Sequence, residues 1–263
     1  MKIEAVIVVY NRDLENSPSY SSLLLSGVGI TVCDNSISVT RNEEKAKSDG
    51  VRYLDMNGNA GLPRAYNRAF DSLSDVSDDT LICLFDDDTE IPSGYFSALA
   101  DAAEKNPEAA AFFPVVREAA NGLIMSPCII KGCRVSRASD PFTLSANELT
   151  GINSGLAIRA ETTRKIKYNE ELFLDYADHD YIRRLKNSGA QLAVFDSPLI
   201  QHFSRSGNVS RKSAEKRFNL FKKDFTVFCS EGSLADRIYC KLYLLRRKAQ
   251  IARMPADNDH GEE

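Results

Sequence analysis

Short apolar runs alternate with segments of helical periodicity along the first 116 residues of the chain. The apolar runs predict strands at residues 3–10, 30–34, 51–56, 80–85 and 109–116. The segments between them predict helices at residues 41–49, 64–73 and 94–105. Strands that are apolar throughout are typical of parallel sheets covered on both faces. The alternation therefore predicts βαβ units and an α/β fold with a mostly parallel sheet.

The second half of the chain is less regular. Residues 117–150 show no periodicity and are rich in Ser, Gly and Cys, which is typical of a functional loop. The later predicted elements are a helix at 180–188, a strand at 191–195, and two helices near 211–229 and 234–252.

Charge is distributed unevenly. The net charge is −4, yet residues 205–253 hold 13 Lys and Arg against 4 Asp and Glu. A basic terminal stretch beside an acidic body is unlike a nucleic-acid-binding protein, so we expect no nucleic-acid partner. The N-terminal segment has no signal-peptide pattern, and no run reaches the roughly 18 apolar residues of a membrane span. We therefore expect a cytoplasmic protein with reduced cysteines.

Polar residues stand where the predicted strands end. Asn11 and Asp34 close the first two strands, Asn59 follows the third after a short loop, and Asp86 closes the fourth. Parallel α/β sheets bind ligands beyond the carboxyl ends of their strands. The sequence therefore predicts a ligand site at this edge of the sheet.

Three consecutive aspartates, Asp86, Asp87 and Asp88, follow the most apolar strand. On a strand, residues two apart project to the same side, so Asp86 and Asp88 are expected to face one point. Carboxylates suit Mg²⁺ or Mn²⁺, which in turn hold a diphosphate. The alternative is a solvated acidic turn.

Two further candidates follow in the second half. Asp178 lies in an acidic cluster, from Asp175 to Asp180, that opens a predicted helix. It can be an N-cap, a general base kept ionised by the helix N-terminus, or both at once. His202 follows a strand-like segment, and its position leaves both a structural role and metal binding open.

The chain resembles the family 2 glycosyltransferases with the GT-A fold, and within them the bacterial rhamnosyltransferase and galactofuranosyltransferase branch. The segments that carry the resemblance are, in order, VIVVYNR, CDNS, NGNAGLPRAYNRAF, LFDDDTEIP, SGLAIR, LDYADHDYIRRLKNSG and QH. The resemblance implies a Rossmann-like catalytic domain with a C-terminal helical extension. The implied divisions are a catalytic domain at 1–207, with nucleotide-sugar binding at 1–116 and the acceptor side at 117–207, basic helices at 208–253 and a disordered tail at 254–263.

The resemblance also implies roles for individual residues. Asp34 would contact the nucleobase, Asp86 the ribose and the metal, and Asp88 the metal and diphosphate. Asp178 matches the general base, although Ala177 replaces the family's Glu before it. His202 matches a histidine that completes the metal site in the galactofuranosyl branch. The remaining substrate-binding candidates are Tyr10, Asn11, Asn59, Gly61, Arg64, Asn67, Asp87, Ser154, Gly155 and Asp175.

The implied activity is an inverting transfer from a UDP- or dTDP-sugar to a glycan or lipid-linked glycan, with Mn²⁺ or Mg²⁺ as cofactor. Two alternatives compete with it. The letters LICLFDDDT also fit a haloacid-dehalogenase phosphatase with Asp86 as nucleophile, although three strands precede them here. The second alternative is a GT-A-like binding module without activity, which the missing Glu keeps open.

The last predicted helix carries an apolar stripe with basic residues around it. The stripe consists of Leu234, Ile238, Leu242, Leu245 and Ala249. Such a helix is typical of a peripheral protein on the inner face of the cell membrane. The alternatives are that the stripe packs against the catalytic domain or forms a homodimer.

Overall fold

The computed structural model describes residues 1–38, 40–202 and 210–255. Its strands are β1 (Ile3–Val9), β2 (Gly29–Asp34), β3 (Arg52–Asp55), β4 (Leu81–Asp86), β5 (Thr89–Glu90), β6 (Ala109–Glu118), β7 (Ile124–Ser126), β8 (Cys128–Lys131), β9 (Arg134–Arg137), β10 (Leu149–Thr150), β11 (Ala157–Arg159) and β12 (Gln191–Gln201). Its helices are α1 (Pro18–Ser26), α2 (Asn42–Ser48), α3 (Leu62–Ser72), α4 (Tyr95–Lys105), α5 (Ala160–Lys165), α6 (Ala177–Asn187), α7 (Arg211–Ser230) and α8 (Leu234–Ala252).

The central sheet has the strand order β3-β2-β1-β4-β11-β6-β12-β5, with β7 added beside β6. The strands β3, β2, β1 and β4 run parallel, and β12 runs parallel to β6. β11 lies antiparallel between β4 and β6, so these two strands share one direction. The main strands therefore end at one edge of the sheet. The predicted α/β fold with a mostly parallel sheet is confirmed.

Alternation along β1 shows how the sequence forms two cores. Ala5, Ile7 and Val9 pack into one buried cluster with α1, α2 and α4. Val6 and Val8 pack into the other, with α3, α5 and α6. Because successive strand residues point to opposite faces, a strand covered by helices on both sides must be apolar throughout.

The expectation of an irregular segment at 117–150 is wrong. This segment contains β7 to β10, and β10, β8 and β9 form a small antiparallel sheet. These strands are too short to show a period of two in the sequence. β12 also runs past the predicted end at 195, to Gln201, across a register irregularity between Phe195 and Leu199. Such an irregularity interrupts the apolar pattern.

The two C-terminal helices pack on each other and on the small sheet. The buried residues that they share with β8 and the turn after it are Ile130, Cys133, Phe221, Phe225, Phe228, Cys229 and Cys240. Both helices lie close to their predicted bounds. In the described part of the chain, none of the helices is both long and apolar enough to cross a bilayer.

Candidate active site

A cavity of about 640 Å³ opens at the carboxyl edge of the central sheet. The residues that line it are Val8, Tyr10, Asn35, Asn59, Gly61, Leu62, Asp86, Asp87, Asp88, Phe173, Leu174, Gln201 and Leu220. They come from strand ends, from the loops that precede α3 and α6, and from α7. A cleft at this edge is what the sequence predicted.

The three aspartates enter the cavity wall at the end of β4. Asp86 is the last residue of β4, whereas Asp87 and Asp88 form the turn to β5. The expectation that Asp86 and Asp88 share one side of a continuous strand is therefore wrong, since strand geometry ends at Asp86. The turn nevertheless leaves all three residues in the lining.

Two side chains distant in sequence, Ser154 in the turn before β11 and Gln201 at the end of β12, hold the first and third aspartates. Ser154 is fully buried and donates its hydroxyl to Oδ2 of Asp86 at 2.5 Å. Gln201 donates its side-chain amide to Oδ1 of Asp88, and its own Oε1 accepts from Thr89 at 2.6 Å. A turn and a strand end that are remote in sequence therefore orient these carboxylates.

The middle aspartate forms an ion pair with Arg12. Oδ2 of Asp87 accepts from the backbone N–H of Tyr10 at 3.3 Å, and Oδ1 lies 3.1 Å from Nε of Arg12. Burial raises the pKa of both Asp87 and Asp88, and the charge of Arg12 opposes the rise. The guanidinium offsets part of the local negative charge.

Asp86 carries the largest shift of the three. Burial is the main cause that raises its pKa to about 7. The charges of Asp88, Asp87 and Asp178 raise the pKa further, whereas the hydrogen bond from Ser154 lowers it. A buried group of like charges favours a proton or a bound cation.

The donor set fits a divalent cation shared with a phosphate ligand. Mg²⁺ is usually held by one or two carboxylates together with substrate phosphates and water, and Asp86 and Asp88 supply two carboxylates. Over residues 1–38, 40–202 and 210–255, the structure contains no group of three or more His, Cys, Asp or Glu side chains arranged to hold a metal. Nε2 of His202 lies 2.5 Å from Oε1 of Glu90. Metal binding by His202 stays a prediction.

Asp34 lies behind the cavity wall, where its carboxylate accepts hydrogen bonds from other residues of the protein. It is 3% exposed. Its donors are the backbone N–H of Ser36 at 2.9 Å, Oγ1 of Thr40 at 3.2 Å, Nδ2 of Asn42 at 2.9 Å and the hydroxyl of Tyr53 at 3.0 Å. Burial raises the pKa of Asp34, but the hydrogen bonds outweigh burial and the pKa lies below its ordinary value. A nucleobase contact by Asp34 stays a prediction, while the adjacent Asn35 lines the cavity.

Asn11 holds a loop beside the cavity. Its φ is 50°, a value that Asn tolerates better than most residues. Its Oδ1 accepts from the backbone N–H groups of Ile37 and Ser38 at 2.9 and 3.1 Å. Asn11 therefore joins the segments that follow β1 and β2.

The start of α3 touches the loop that precedes α6. Gly61 has φ 88°, and a Cβ at this position would lie 2.7 Å from the carbonyl oxygen of Phe173. The backbone N–H of Leu62 donates to the same oxygen at 2.8 Å. Asn59 Oδ1 accepts from the N–H of Gly61 at 3.1 Å. The position thus requires glycine both for its backbone and for its space.

Arg64 and Asn67, expected in the donor site, line a second cavity of about 470 Å³. Asn67 donates to the carbonyl oxygen of Tyr168 at 3.1 Å and to Oε1 of Glu170 at 2.9 Å. Arg64 Nε lies 3.6 Å from Oε2 of Glu170. The Asn67 contacts attach α3 to the segment before α6, and a donor contact by either residue stays a prediction.

Gly155 forms a tight corner after Ser154. Its φ is 78°, and a Cβ there would lie 2.3 Å from Cδ1 of Leu199. Its N–H donates to the carbonyl oxygen of Leu84 at 2.7 Å. The corner places Ser154 next to Asp86, so the role of Gly155 in the structure is to position that contact.

Asp178 lies in the first turn of α6, which begins at Ala177. The N-cap position belongs to Tyr176, whose φ is 61°. The alternative that Asp178 is the N-cap is therefore wrong. Its Oδ1 accepts from the N–H of His179 at 2.8 Å, and its side chain is 20% exposed.

α7 holds the loop that precedes α6. Asp224 is fully buried, and its carboxylate accepts from the backbone N–H groups of Phe173, Leu174 and Asp175 at 3.1, 2.8 and 2.8 Å. Asp175 is also paired with Arg217 of α7 through both carboxylate oxygens. Asp175, expected to bind substrate, thus bonds within the protein, and the substrate role stays a prediction.

Several lining residues were not predicted as site residues. Asn35 and Gln201 lie inside the segments CDNS and QH, which carry the family resemblance. The sequence therefore indicated these segments, but these two residues were not named as site residues. Leu174 opens the quoted segment LDYADHDYIRRLKNSG, whereas Phe173 and Leu220 carry no local signal. Phe173 and Leu174 reach the cavity on the loop that Asp224 holds, and Leu220 reaches it from α7, so all three depend on tertiary contacts.

Comparison with known sequences decides the family. The sequence profile of Glycosyl transferase family 2 matches residues 29–173, more than half of the chain. The chain belongs to this family. It is a glycosyltransferase, and the matched segment includes the three aspartates and Phe173. The phosphatase alternative for Asp86 is therefore wrong.

The glycosyltransferase is similar to a dTDP-rhamnosyl transferase, RfbF of Shigella flexneri, with 27% identity over 208 residues, 76% of this chain and 68% of that protein. It also shares its fold with S. aureus TarS 1-349, with TM-score 0.54 and 16% identity over 96% of this chain and 73% of that one. TarS 1-349 in complex with UDP-GlcNAc matches with TM-score 0.53 and 15% identity, over 95% and 73% of the two chains. The expected GT-A fold and rhamnosyltransferase-like branch are confirmed.

Proposed function

We propose that this glycosyltransferase moves a sugar from a nucleoside-diphosphate donor to a glycan hydroxyl, with inversion at the anomeric carbon and with Mn²⁺ or Mg²⁺ as cofactor. The observation that carries the proposal is the cavity at the sheet edge, into which β4 and its turn bring Asp86, Asp87 and Asp88. Asp178 lies near enough for its charge to raise the pKa of Asp86.

A nucleotide-sugar donor agrees with the relatives. RfbF is a dTDP-rhamnosyl transferase, and TarS 1-349 has been solved with UDP and with UDP-GlcNAc. In this chain Tyr10 is 47% exposed at the cavity, where its ring offers a surface for a nucleobase. Asn35 and Asn59 add amide groups to the same wall. We assign UDP or dTDP as the nucleotide.

The proposed reaction is one in-line displacement. Asp178 accepts the proton of the acceptor hydroxyl as its oxygen bonds to the anomeric carbon. The bond between the anomeric carbon and the diphosphate oxygen breaks, and the nucleoside diphosphate leaves with the electron pair. Arg12, whose Nε lies 3.1 Å from Oδ1 of Asp87, would offset charge on that group.

The cation would be held by Asp86 and Asp88, with His202 as a further ligand. When bound, a divalent cation neutralises charge on the diphosphate. Ser154 and Gln201 hold the two carboxylates in place for this role.

A binding and turnover screen tests the proposal. UDP-, GDP- and dTDP-sugars are each titrated with Mn²⁺ present, and transfer to glycan acceptors is then followed for any donor that binds. Binding of a UDP- or dTDP-sugar with transfer supports the proposal and excludes the inactive binding module. Binding of none of the donors would contradict it.

A further inference from the structure

One face of α8 is apolar and turned away from the rest of the protein. This outer face comprises Leu234, Ile238, Leu242, Leu245 and Ala249. The four large side chains are 72%, 51%, 62% and 65% exposed, in chain order. Large apolar residues exposed singly are ordinary, but four on one face of one helix form a patch. The alternative that this stripe packs against the catalytic domain is therefore wrong.

The opposite face of α8 fixes this orientation. Cys240 is buried in the cluster shared with α7. Tyr243 packs against Phe225, with ring centroids 5.4 Å apart, and the guanidinium carbon of Arg247 lies 4.4 Å from the centroid of the Phe221 ring. Because α8 cannot rotate without losing these contacts, the outer face stays open.

The outer face is bordered by positive charge. α8 contains five basic residues, Arg237, Lys241, Arg246, Arg247 and Lys248, against one acidic residue, Asp236. Arg237, Lys241, Arg246 and Lys248 are exposed. Asp236 forms the capping box with Ser233, so its carboxylate is engaged at the first turn.

We propose that the outer face of α8 lies on an anionic lipid surface. The leucine and isoleucine side chains would enter the acyl boundary while the basic residues meet lipid phosphates. Resting on the proposed function, this placement identifies the acceptor as a lipid-linked glycan presented at that surface.

The charge pattern favours a membrane over two other partners for the outer face, a second copy of the chain and a nucleic acid. Packing two copies of α8 by their outer faces would bring basic residues of both copies together, and like charges at close range repel. A nucleic acid would meet the basic border but would leave the apolar centre without a partner. An anionic membrane would contact both the apolar centre and the basic border of the outer face.

α7 connects this surface to the catalytic cavity. Leu220 of α7 lines the cavity, and Asp224 of α7 holds the loop that carries Phe173. α8 packs along α7. Attachment of α8 to a membrane would therefore fix the position of the cavity relative to that membrane.

Vesicle binding by matched variants tests the proposal. The first variant is Leu242→Asp with Leu245→Asp. The control is Leu24→Asp with Leu25→Asp, which makes the same change at two leucines of α1 that are 39% and 90% exposed. Full-length proteins are sedimented with phosphatidylglycerol–phosphatidylcholine vesicles and with phosphatidylcholine vesicles, and their masses are measured by light scattering.

We expect the wild type and the α1 control to bind anionic vesicles. The α8 variant should bind anionic vesicles at least tenfold more weakly than the wild type. All three proteins should bind neutral vesicles at least tenfold more weakly than the wild type binds anionic ones. Binding should also weaken as salt concentration rises. Absence of wild-type binding, equal binding by both variants, or a dimer that only the α8 variant dissociates would overturn the proposal. Nucleotide binding by the same proteins, measured by calorimetry without vesicles, reports on the proposed function separately.

Discussion

Ser154 donates its hydroxyl hydrogen bond to Asp86 at 2.5 Å, although 68 residues separate the two in sequence. This bond lowers the pKa of Asp86, whereas burial raises it. Ser154→Ala should therefore raise the pKa of Asp86 above about 7, so that more of this carboxyl is protonated at pH 7. Cation-dependent nucleotide binding should weaken at pH 7 and recover at higher pH, as measured by calorimetry across pH. Ser22→Ala, at a partly exposed position of α1, is the control. An affinity with no pH dependence in the Ser154 variant would contradict this prediction.

Asp178→Asn should keep donor affinity and lower kcat by about two orders of magnitude or more, in line with the roughly 10²- to 10⁴-fold that a general base usually contributes. The asparagine amide cannot take the proton from the hydroxyl group of the acceptor glycan. Steady-state kinetics and calorimetry measure the two effects separately. Asp175→Asn is the comparison, because it changes a nearby acid that is paired with Arg217. A larger loss of kcat in the Asp175 variant than in the Asp178 variant would show that Asp175 is the general base.

Asp224→Ala should disturb the cavity from a distance. It leaves three backbone N–H groups of the loop without their acceptor, at a cost of about 1–3 kcal/mol for each buried unsatisfied group. We expect a lower melting temperature, and in the folded fraction a larger effect on kcat than on nucleotide affinity. Asp224→Asn keeps one acceptor oxygen and should recover part of both losses. Equal stability of all three proteins would show that the loop does not depend on α7.

Gly61→Ala should be more damaging than Gly27→Ala. Its Cβ would lie 2.7 Å from the Phe173 carbonyl oxygen, whereas a Cβ at Gly27, with φ 73°, meets nothing within 4 Å. Gly27→Ala therefore measures the cost of a left-handed backbone without a steric contact, about 1–2 kcal/mol. Gly61, with φ 88° and ψ 161°, also lies in a backbone region that is almost confined to glycine, so its backbone cost is higher as well. Chemical denaturation should give a larger loss for Gly61→Ala, together with weaker donor binding. Similar losses would mean that the Phe173 loop adjusts freely.

The sequence predicted the sheet because its strands are apolar throughout and end at polar residues. It failed where that signal is weak. β7 to β10 are too short for a visible period, and β12 is interrupted near Pro198. Asp87 and Asp88 seemed to continue a strand because sequence does not show where β4 gives way to a turn.

The candidate site was predicted only in part, because the sequence shows residues at strand ends but not tertiary contacts. Tyr10, Asn59, Gly61 and the three aspartates line the cavity, as residues next to strand ends do in α/β folds. Asp224 gave no sign of its role, because it lies among the basic residues of α7 and its partners are 49 to 51 positions away. Contacts of this kind depend on how α7 packs, which local sequence does not encode.

In the proposed function, a nucleoside diphosphate binds in the Asp86–Asp88 cavity through a divalent cation. Calorimetric titration of UDP and dTDP, with Mn²⁺ and with EDTA, tests it most directly on the wild type, Asp88→Ala and the control Asp101→Ala at an exposed position of α4. His202→Ala tests the further ligand in the same series. We expect EDTA and Asp88→Ala each to abolish measurable affinity, while Asp101→Ala binds like the wild type. Unchanged affinity in EDTA and in Asp88→Ala would contradict it.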